Sequence, residues 1–148
     1  MIQIIKLQEI ISNHQNMLKK TSLIFVVEDD IPCGKLVEFY LKRNGYSRVF
    51  VFTDENAFMQ EMIKKPKVVI TDYRLKKMNG IELIKSAREI YSNFYCVLLS
   101  GMNYDEIFPD EMPHIHLDKY IRKGLDSLDE LQDTLDAWAH IQKVEQFY

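Results

Sequence analysis

The strongest constraint on the fold is an alternation of short apolar runs with segments of helical periodicity. The apolar runs lie at residues 23–27, 49–52, 68–71, 96–100 and 119–122. Runs that are apolar throughout are typical of strands covered on both faces. Strands that alternate with helices build a parallel sheet through right-handed crossovers. The sequence therefore predicts an α/β fold with a doubly wound, five-stranded parallel sheet.

Capping residues delimit the predicted helices. Asp30 precedes a helix with Pro32 in its first turn, and Asn44-Gly45 ends that helix. Asp54 begins a second helix and Gly80 a third. The inner face of the closing helix is marked by Leu128, Leu131, Leu135 and Trp138. Pro109 and Pro113 limit the fourth helix to a short one near residues 104–108, with irregular chain after it.

The first 20 residues stand outside this alternation. A stripe with three-and-four spacing runs through residues 2–19 and consists of Ile4, Leu7, Ile11, His14 and Leu18. This spacing predicts an amphipathic helix. We therefore expect an N-terminal extension over residues 1–20 and one domain over residues 21–148. Two uses of the helix remain open, namely packing on its own domain and pairing with a second copy or another partner.

Composition excludes several classes of function. The 148 residues, 47% of them hydrophobic, suffice for one core, and a net charge of −3 gives no basic excess for binding nucleic acid. No window approaches the roughly 20 apolar residues of a membrane-spanning helix, and Lys6 and Glu9 interrupt any signal-peptide pattern. Cys33 and Cys96 lie far apart without metal-binding spacing, which indicates a reducing compartment. We expect a cytoplasmic protein with no direct nucleic-acid or membrane contact.

Polar residues follow four of the predicted strands. They are Glu28-Asp29-Asp30, Thr71-Asp72, Ser100-Gly101 and Arg122-Lys123-Gly124. Because parallel strands end at the same edge of an open sheet, we expect acidic, hydroxyl and amine groups to converge there.

Such a set of groups has a definite chemistry. Clustered carboxylates repel one another unless they bind a hard cation, and Mg²⁺ accepts one or two carboxylates together with phosphate oxygens. A carboxylate can also act as a nucleophile and form an acyl phosphate. A lysine amine and a serine hydroxyl would then stabilise the oxygens of the transferred group. The pattern indicates Mg²⁺-dependent phosphoryl chemistry.

The segments FVVEDD, VVITDYRLKKMNGIEL, VLLSG and YIRKG, in this order and spacing, resemble the response-regulator receiver family of two-component signalling. The resemblance covers about residues 22–142 and implies a flavodoxin-like fold. It implies these roles: Asp72 as phosphoacceptor; Glu28, Asp29, Asp72 and the backbone carbonyl of Arg74 as ligands of Mg²⁺; Ser100 and Lys123 as phosphate-binding groups; and Tyr120, with Ser100, as a switch residue.

The resemblance also implies a function. Asp72 would accept a phosphoryl group from a histidine kinase or a histidine phosphotransfer protein, and the domain would signal to a downstream protein by contact. The chain would then be a signalling domain that promotes its own Mg²⁺-dependent phosphorylation and dephosphorylation. One alternative is a receiver-like interaction module that acts without phosphorylation. A second is an aspartyl-dependent phosphohydrolase, which usually carries a second acid where this chain has Arg74.

Each assigned residue also has a purely structural interpretation. Asp72, Glu28 and Asp29 could cap turns or helices, Ser100 could bond a nearby carbonyl, Lys123 could be a solvated amine and Tyr120 a core aromatic.

Three features depart from the pattern of the family. Lys76 and Gly124 stand where the family often has proline, and the fourth helix is short. Lys76 predicts either a looser acceptor loop or a charge that serves a partner. The short fourth helix leaves the partner surface undefined.

Overall fold

The computed structural model describes residues 3–8, 18–108 and 117–145. Five strands form one parallel sheet in the order β2-β1-β3-β4-β5: β1 (Leu23–Val27), β2 (Arg48–Phe52), β3 (Val68–Thr71), β4 (Tyr95–Ser100) and β5 (Lys119–Arg122). This confirms the predicted sheet. Strands β2 and β4 each begin one residue earlier than predicted, at Arg48 and Tyr95.

Helices follow the strands as the capping pattern predicts. They are α1 (Ile31–Arg43), α2 (Glu55–Glu61) with a 3₁₀ turn at Met62–Lys64, α3 (Gly80–Ile90), α4 (Tyr104–Ile107) and α5 (Ser127–Glu145). Asp30, Asp54 and Asn79 each accept a hydrogen bond from a backbone amide in the first turn of the helix that follows. The predicted short α4 is confirmed, and the irregular segment predicted beyond it, residues 109–116, lies outside the described residues.

Two apolar layers cover the sheet. Ile24 and Val26 pack under α1 and α5, whereas Phe25 and Val27 pack against α2 and α3 on the other face. Because alternate residues of β1 point to opposite faces, a strand covered on both sides must be apolar throughout. The closing helix contributes Leu131, Leu135 and the partly buried Leu128 and Trp138 to the first layer.

The sheet topology positions the functional edge. The backbone amide of Glu28 donates to the Phe52 carbonyl at 3.0 Å, and that of Asp72 donates to the Val27 carbonyl at 3.1 Å. These bonds extend the strand pairing one residue past β1 and β3. Since β1 and β3 are neighbours, the carboxylates that follow them start from adjacent positions at one edge of the sheet.

The chain enters the domain beside α5. Leu18 is fully buried in the layer under α1 and α5. The Lys20 ammonium lies 3.0 Å from Asp136 Oδ1 and 4.0 Å from the centre of the Tyr46 ring, and the Tyr46 hydroxyl donates to the same carboxylate oxygen at 2.7 Å. These contacts tie residues 18–20 to α5.

A helix precedes the sheet, as predicted. Residues 3–8 are helical and exposed, and residues 9–17 of the predicted helix lie outside the described residues. Packing of this helix on its own domain and its use in a homodimer both stay predictions. Within the described ranges, no helix combines the length and apolar character needed to cross a membrane.

The Tyr46–Asp136 hydrogen bond predicts an acid-dependent loss of stability. Burial alone would raise the pKa of Asp136, but the hydrogen bonds donated by Tyr46 and Lys20 outweigh burial and hold that pKa below its usual 3.8. A carboxyl whose pKa falls on folding stabilises the native state above the unfolded pKa, and this stabilisation is lost as the pH falls through the folded pKa.

Tyr46→Phe should therefore lower the free energy of unfolding by about 1 kcal/mol at neutral pH. Its difference from wild type should shrink below about pH 4, the range in which Asp136 becomes protonated. Urea titrations at several pH values measure both effects. Asp136→Asn should likewise weaken the pH dependence of the free energy of unfolding in this range. A Tyr46→Phe chain with the wild-type pH dependence would contradict this account.

Candidate functional site

Three carboxylates meet at the carboxyl edge of the sheet. Glu28, Asp29 and Asp72 each offer an oxygen within 4.8 Å of the others. Glu28 is 5% exposed, and its Oε1 accepts a hydrogen bond from the Asp30 amide at 3.1 Å. The structure therefore brings together the three acids that the strand ends predict.

Lys123 joins two of these acids. Its ammonium lies 2.8 Å from Glu28 Oε2 and 3.3 Å from Asp72 Oδ2. The Lys123 amide donates to the Ser100 carbonyl at 2.8 Å, which continues the pairing of β4 with β5 past the end of β5. The glycine that follows Lys123 does not prevent the side chain from reaching both carboxylates.

Burial and charge act in opposite directions on these groups. Burial raises the pKa of Glu28, and the charge of Asp72 raises it further, against the hydrogen bonds from Lys123 and the Asp30 amide. Burial alone would lower the pKa of Lys123, but the Glu28 hydrogen bond and the Asp72 charge outweigh burial and raise that pKa. Lys123 is therefore a protonated amine at neutral pH.

One ammonium does not neutralise three carboxylates. The remaining negative charge, presented by oxygen ligands alone, is the donor set that a hard divalent cation such as Mg²⁺ takes. The residues present therefore fit the metal that the sequence predicts.

Backbone contacts fix the segment after Asp72. The Gly80 amide donates to the Tyr73 carbonyl at 2.7 Å, and Arg74 pairs with Asn79 in an isolated antiparallel bridge. A Cβ at position 80 would overlap the Asp72 carbonyl oxygen, so glycine is required for this close approach. The acceptor loop, which the sequence predicts to be looser because Lys76 replaces a proline, is thus closed at its base.

Ser100 lies on the wall of a cleft that Asp72 also lines. Asp72, Arg74, Ser100 and Lys123 line this space of about 400 Å³, and Glu106 stands at its side. Ser100 is 1% exposed, and its hydroxyl oxygen accepts a hydrogen bond from the Met102 amide at 3.2 Å. Arg74 also lines the cleft, and the role of its carbonyl as a metal ligand stays a prediction.

Tyr120 packs beside α4. Its ring meets the Tyr104 ring edge-on at 5.6 Å between centroids, and Tyr104 in turn contacts Phe108 at 4.7 Å. Within the described part of the chain the buried Tyr120 hydroxyl has no hydrogen-bond partner, and burial raises its pKa. This placement fits both interpretations of Tyr120, as a core aromatic and as a switch residue.

One buried acid near the site carries no sequence pattern that marks it. Glu55 is 3% exposed and accepts a hydrogen bond from the Lys77 amide at 3.0 Å. In the sequence it is an acid at the start of a helix, where such residues are common, and no pattern separates it from an exposed one.

Comparison with known families decides the classification. The family model described as response regulator receiver domain matches residues 24–136. The chain belongs to this family. The match includes all of β1 except its first residue, the whole of β2 to β5, and all the residues assigned to the site.

Curated relatives of this receiver domain include bacterial regulators. The alkaline phosphatase synthesis transcriptional regulatory protein PhoP of Bacillus subtilis is 28% identical over 91 residues, which are 60% of this chain and 38% of the relative. The transcriptional regulatory protein ZraR of Salmonella typhimurium is 27% identical over 121 residues, which are 81% of this chain and 27% of the relative. The chain thus spans well under two thirds of either relative.

Solved structures support the fold. The chemotaxis response regulator CheY4 of Vibrio cholerae superposes with a TM-score of 0.67 at 20% identity over 78% of this chain and 98% of that chain. The response regulator TrrA of Thermotoga maritima, solved in complex with Mg²⁺ and BeF, gives a TM-score of 0.69 at 18% identity over 80% and 99%. Both similarities confirm the flavodoxin-like receiver fold.

Gly80→Ala should destabilise the receiver domain. The added methyl group would overlap the backbone carbonyl of Asp72, which cannot move without distorting the acceptor loop. We expect a loss of about 1–3 kcal/mol in the free energy of unfolding, measured by urea denaturation. Gly101→Ala is the matched control because a Cβ there meets nothing within 4 Å. Equal losses in the two variants would refute the steric explanation.

Mg²⁺ should stabilise the domain through the three acids. A ligand that binds only the native state adds about 2.7 kcal/mol at 100 times its dissociation constant. We expect Mg²⁺ to raise the midpoint of thermal unfolding of the wild type and to have little effect on Asp29→Asn. Asp30→Asn is the control, since asparagine caps α1 equally well and Asp30 lies outside the cluster. A similar response of wild type and Asp29→Asn would argue against this site.

Proposed function

We propose that this receiver domain is a phosphorylation-dependent switch that accepts a phosphoryl group on Asp72 from a phosphohistidine of a histidine kinase or a phosphotransfer protein. The observation that carries the proposal is the position of Lys123, whose ammonium lies 3.3 Å from the Asp72 carboxylate and 2.8 Å from Glu28. The cleft beside them has room for a phosphoryl group and is walled by Ser100.

The chemistry follows from these positions. A carboxylate oxygen of Asp72 attacks phosphorus, the bond from phosphorus to the donor imidazole breaks, and the imidazole nitrogen keeps the electron pair. The Lys123 ammonium and the Ser100 hydroxyl donate to oxygens of the transferred group. Glu28, Asp29, Asp72 and the Arg74 carbonyl would hold Mg²⁺, which when bound offsets the charge of the phosphoryl oxygens.

The same groups support hydrolysis of the acyl phosphate. Water that enters the open cleft can attack phosphorus in line with the Asp72 oxygen, which leaves as the carboxylate. The domain thus promotes both its phosphorylation and its return to the starting state.

Phosphorylation changes the charge next to Ser100. The modification adds roughly −1.5 to −2 charges at neutral pH, and the Ser100 hydroxyl is a donor that can turn toward it. Ser100 is joined through the Met102 amide to the segment that leads into α4, and Tyr104 of α4 contacts Tyr120. We infer that this segment, α4 and Tyr120 change conformation together and that a downstream protein binds the changed surface.

The free thiols of Cys33 and Cys96 support a cytoplasmic setting.

Phosphorylation by a small-molecule donor tests the proposal. Incubation with acetyl phosphate and Mg²⁺ should add the mass of one phosphoryl group, measured by intact-protein mass spectrometry. Asp72→Asn should show no addition, and Asp133→Asn, an exposed change on α5, should behave as wild type. Absence of the added mass in the wild type, or its persistence in Asp72→Asn, would overturn the assignment.

A further inference from the structure

A buried carboxylate of α2 reaches the loop that follows the acceptor. Glu55 is the first residue of α2, is 3% exposed, and accepts a hydrogen bond from the Lys77 backbone amide at 3.0 Å through Oε1. Burial of a carboxylate is unfavourable unless a donor compensates it. The Lys77 amide supplies such a donor, and the bond joins two consecutive β–α units of the fold.

Two other kinds of contact hold the loop: Leu75 and Met78 pack against the apolar layer under α2 and α3, and backbone bonds close the base of the loop. The Gly80 amide bonds to the Tyr73 carbonyl, and Arg74 pairs with Asn79. Lys77 lies inside the loop that these two contacts close, away from its base. The bond to Glu55 adds a backbone hydrogen bond that joins this end of the loop to α2.

A second contact at this end is weaker. The Lys77 ammonium lies 3.3 Å from Asp54 Oδ1, but the side chains are 54% and 50% exposed. Exposed ion pairs contribute little, whereas a hydrogen bond from an amide to a buried carboxylate is charge-assisted and shielded from water. Asp54 also caps α2 through the Asn56 amide. The backbone bond to Glu55 is thus the stronger of the two polar links between α2 and the loop.

We propose that Glu55 is a positioning residue of the phosphoacceptor site. By fixing Lys77, it holds residues 73–79 so that the Arg74 carbonyl and the Asp72 carboxylate keep the arrangement needed for Mg²⁺ and phosphoryl transfer. Among the described contacts Glu55 bonds to the Lys77 amide and to neither of these groups, so it acts through the loop. The inference rests on the proposed function of Asp72 and adds to it the residue that orders the acceptor loop.

The test compares Glu55→Ala with Glu55→Gln. The alanine removes the acceptor, whereas glutamine keeps an amide oxygen at the same distance along the side chain. Outer contacts that orient metal ligands typically change metal affinity by about 10-fold or more. We expect Glu55→Ala to raise the Mg²⁺ concentration for half-maximal phosphorylation by acetyl phosphate about 10-fold, and to abolish hydrogen-exchange protection of the Lys77 amide. Glu55→Gln should restore most of both.

A matched control separates positioning from stability. Phe58→Leu alters a fully buried residue of the same helix and should lower stability without moving the Mg²⁺ midpoint. If Glu55→Ala does not fold, Glu55→Asp replaces it, since that side chain keeps the charge but is one methylene too short to reach Lys77. An unchanged Mg²⁺ midpoint in the folded variant, or an equal shift in Phe58→Leu, would overturn the inference.

The two proposals can fail separately. A wild-type chain that gains no phosphoryl group refutes the role of Asp72. In that case Mg²⁺ alone, titrated against the thermal midpoint of wild type and Glu55 variants, still reports whether Glu55 orders the metal ligands. A phosphorylated wild type with no effect of Glu55 refutes only the positioning role.

Discussion

The ammonium of Lys123, set between Glu28 and Asp72, is the interaction on which the site depends. Glu28 is almost fully buried, and without a cation its charge would be strongly unfavourable there. Lys123 follows β5 at one margin of the sheet, and β4 separates it from β3, so its long side chain must pass over the end of β4. Ser100, the last residue of β4, lines the same cleft as Lys123.

The sheet and the convergence of the acids could be predicted from sequence because both follow from topology. A strand covered on two faces must be apolar, which Phe25 and Val27 satisfy on one face and Ile24 and Val26 on the other. Residues directly after parallel strands then meet at one edge. One of the two errors in strand bounds falls where hydropathy gives no signal, at the exposed Arg48 that begins β2, and the other falls at the half-buried Tyr95 that begins β4.

The contacts of individual charged residues could not be predicted in the same way. Glu55 and Lys20 look like ordinary surface charges, because charged residues are rarely buried and local sequence does not reveal their distant partners. The buried Glu55 bonds to the Lys77 amide, 22 residues along the chain, and Lys20 contacts Asp136 of the last helix. The Glu55 contact also explains why Lys76, in place of the family's frequent proline, does not leave the acceptor loop unsupported.

If Asp72 is phosphorylated as proposed, the existing bonds of the site determine which element can respond. A modification shifts a conformational equilibrium only through contacts that differ between the two states. Lys123 already contacts both acids, so a phosphoryl group would redistribute its bonds with little movement of the backbone. The described contact of the Ser100 hydroxyl is to the Met102 amide, two residues from α4. A change of partner at Ser100 therefore acts on the backbone that leads into α4, and the four-residue length of this helix leaves few internal bonds to oppose the movement.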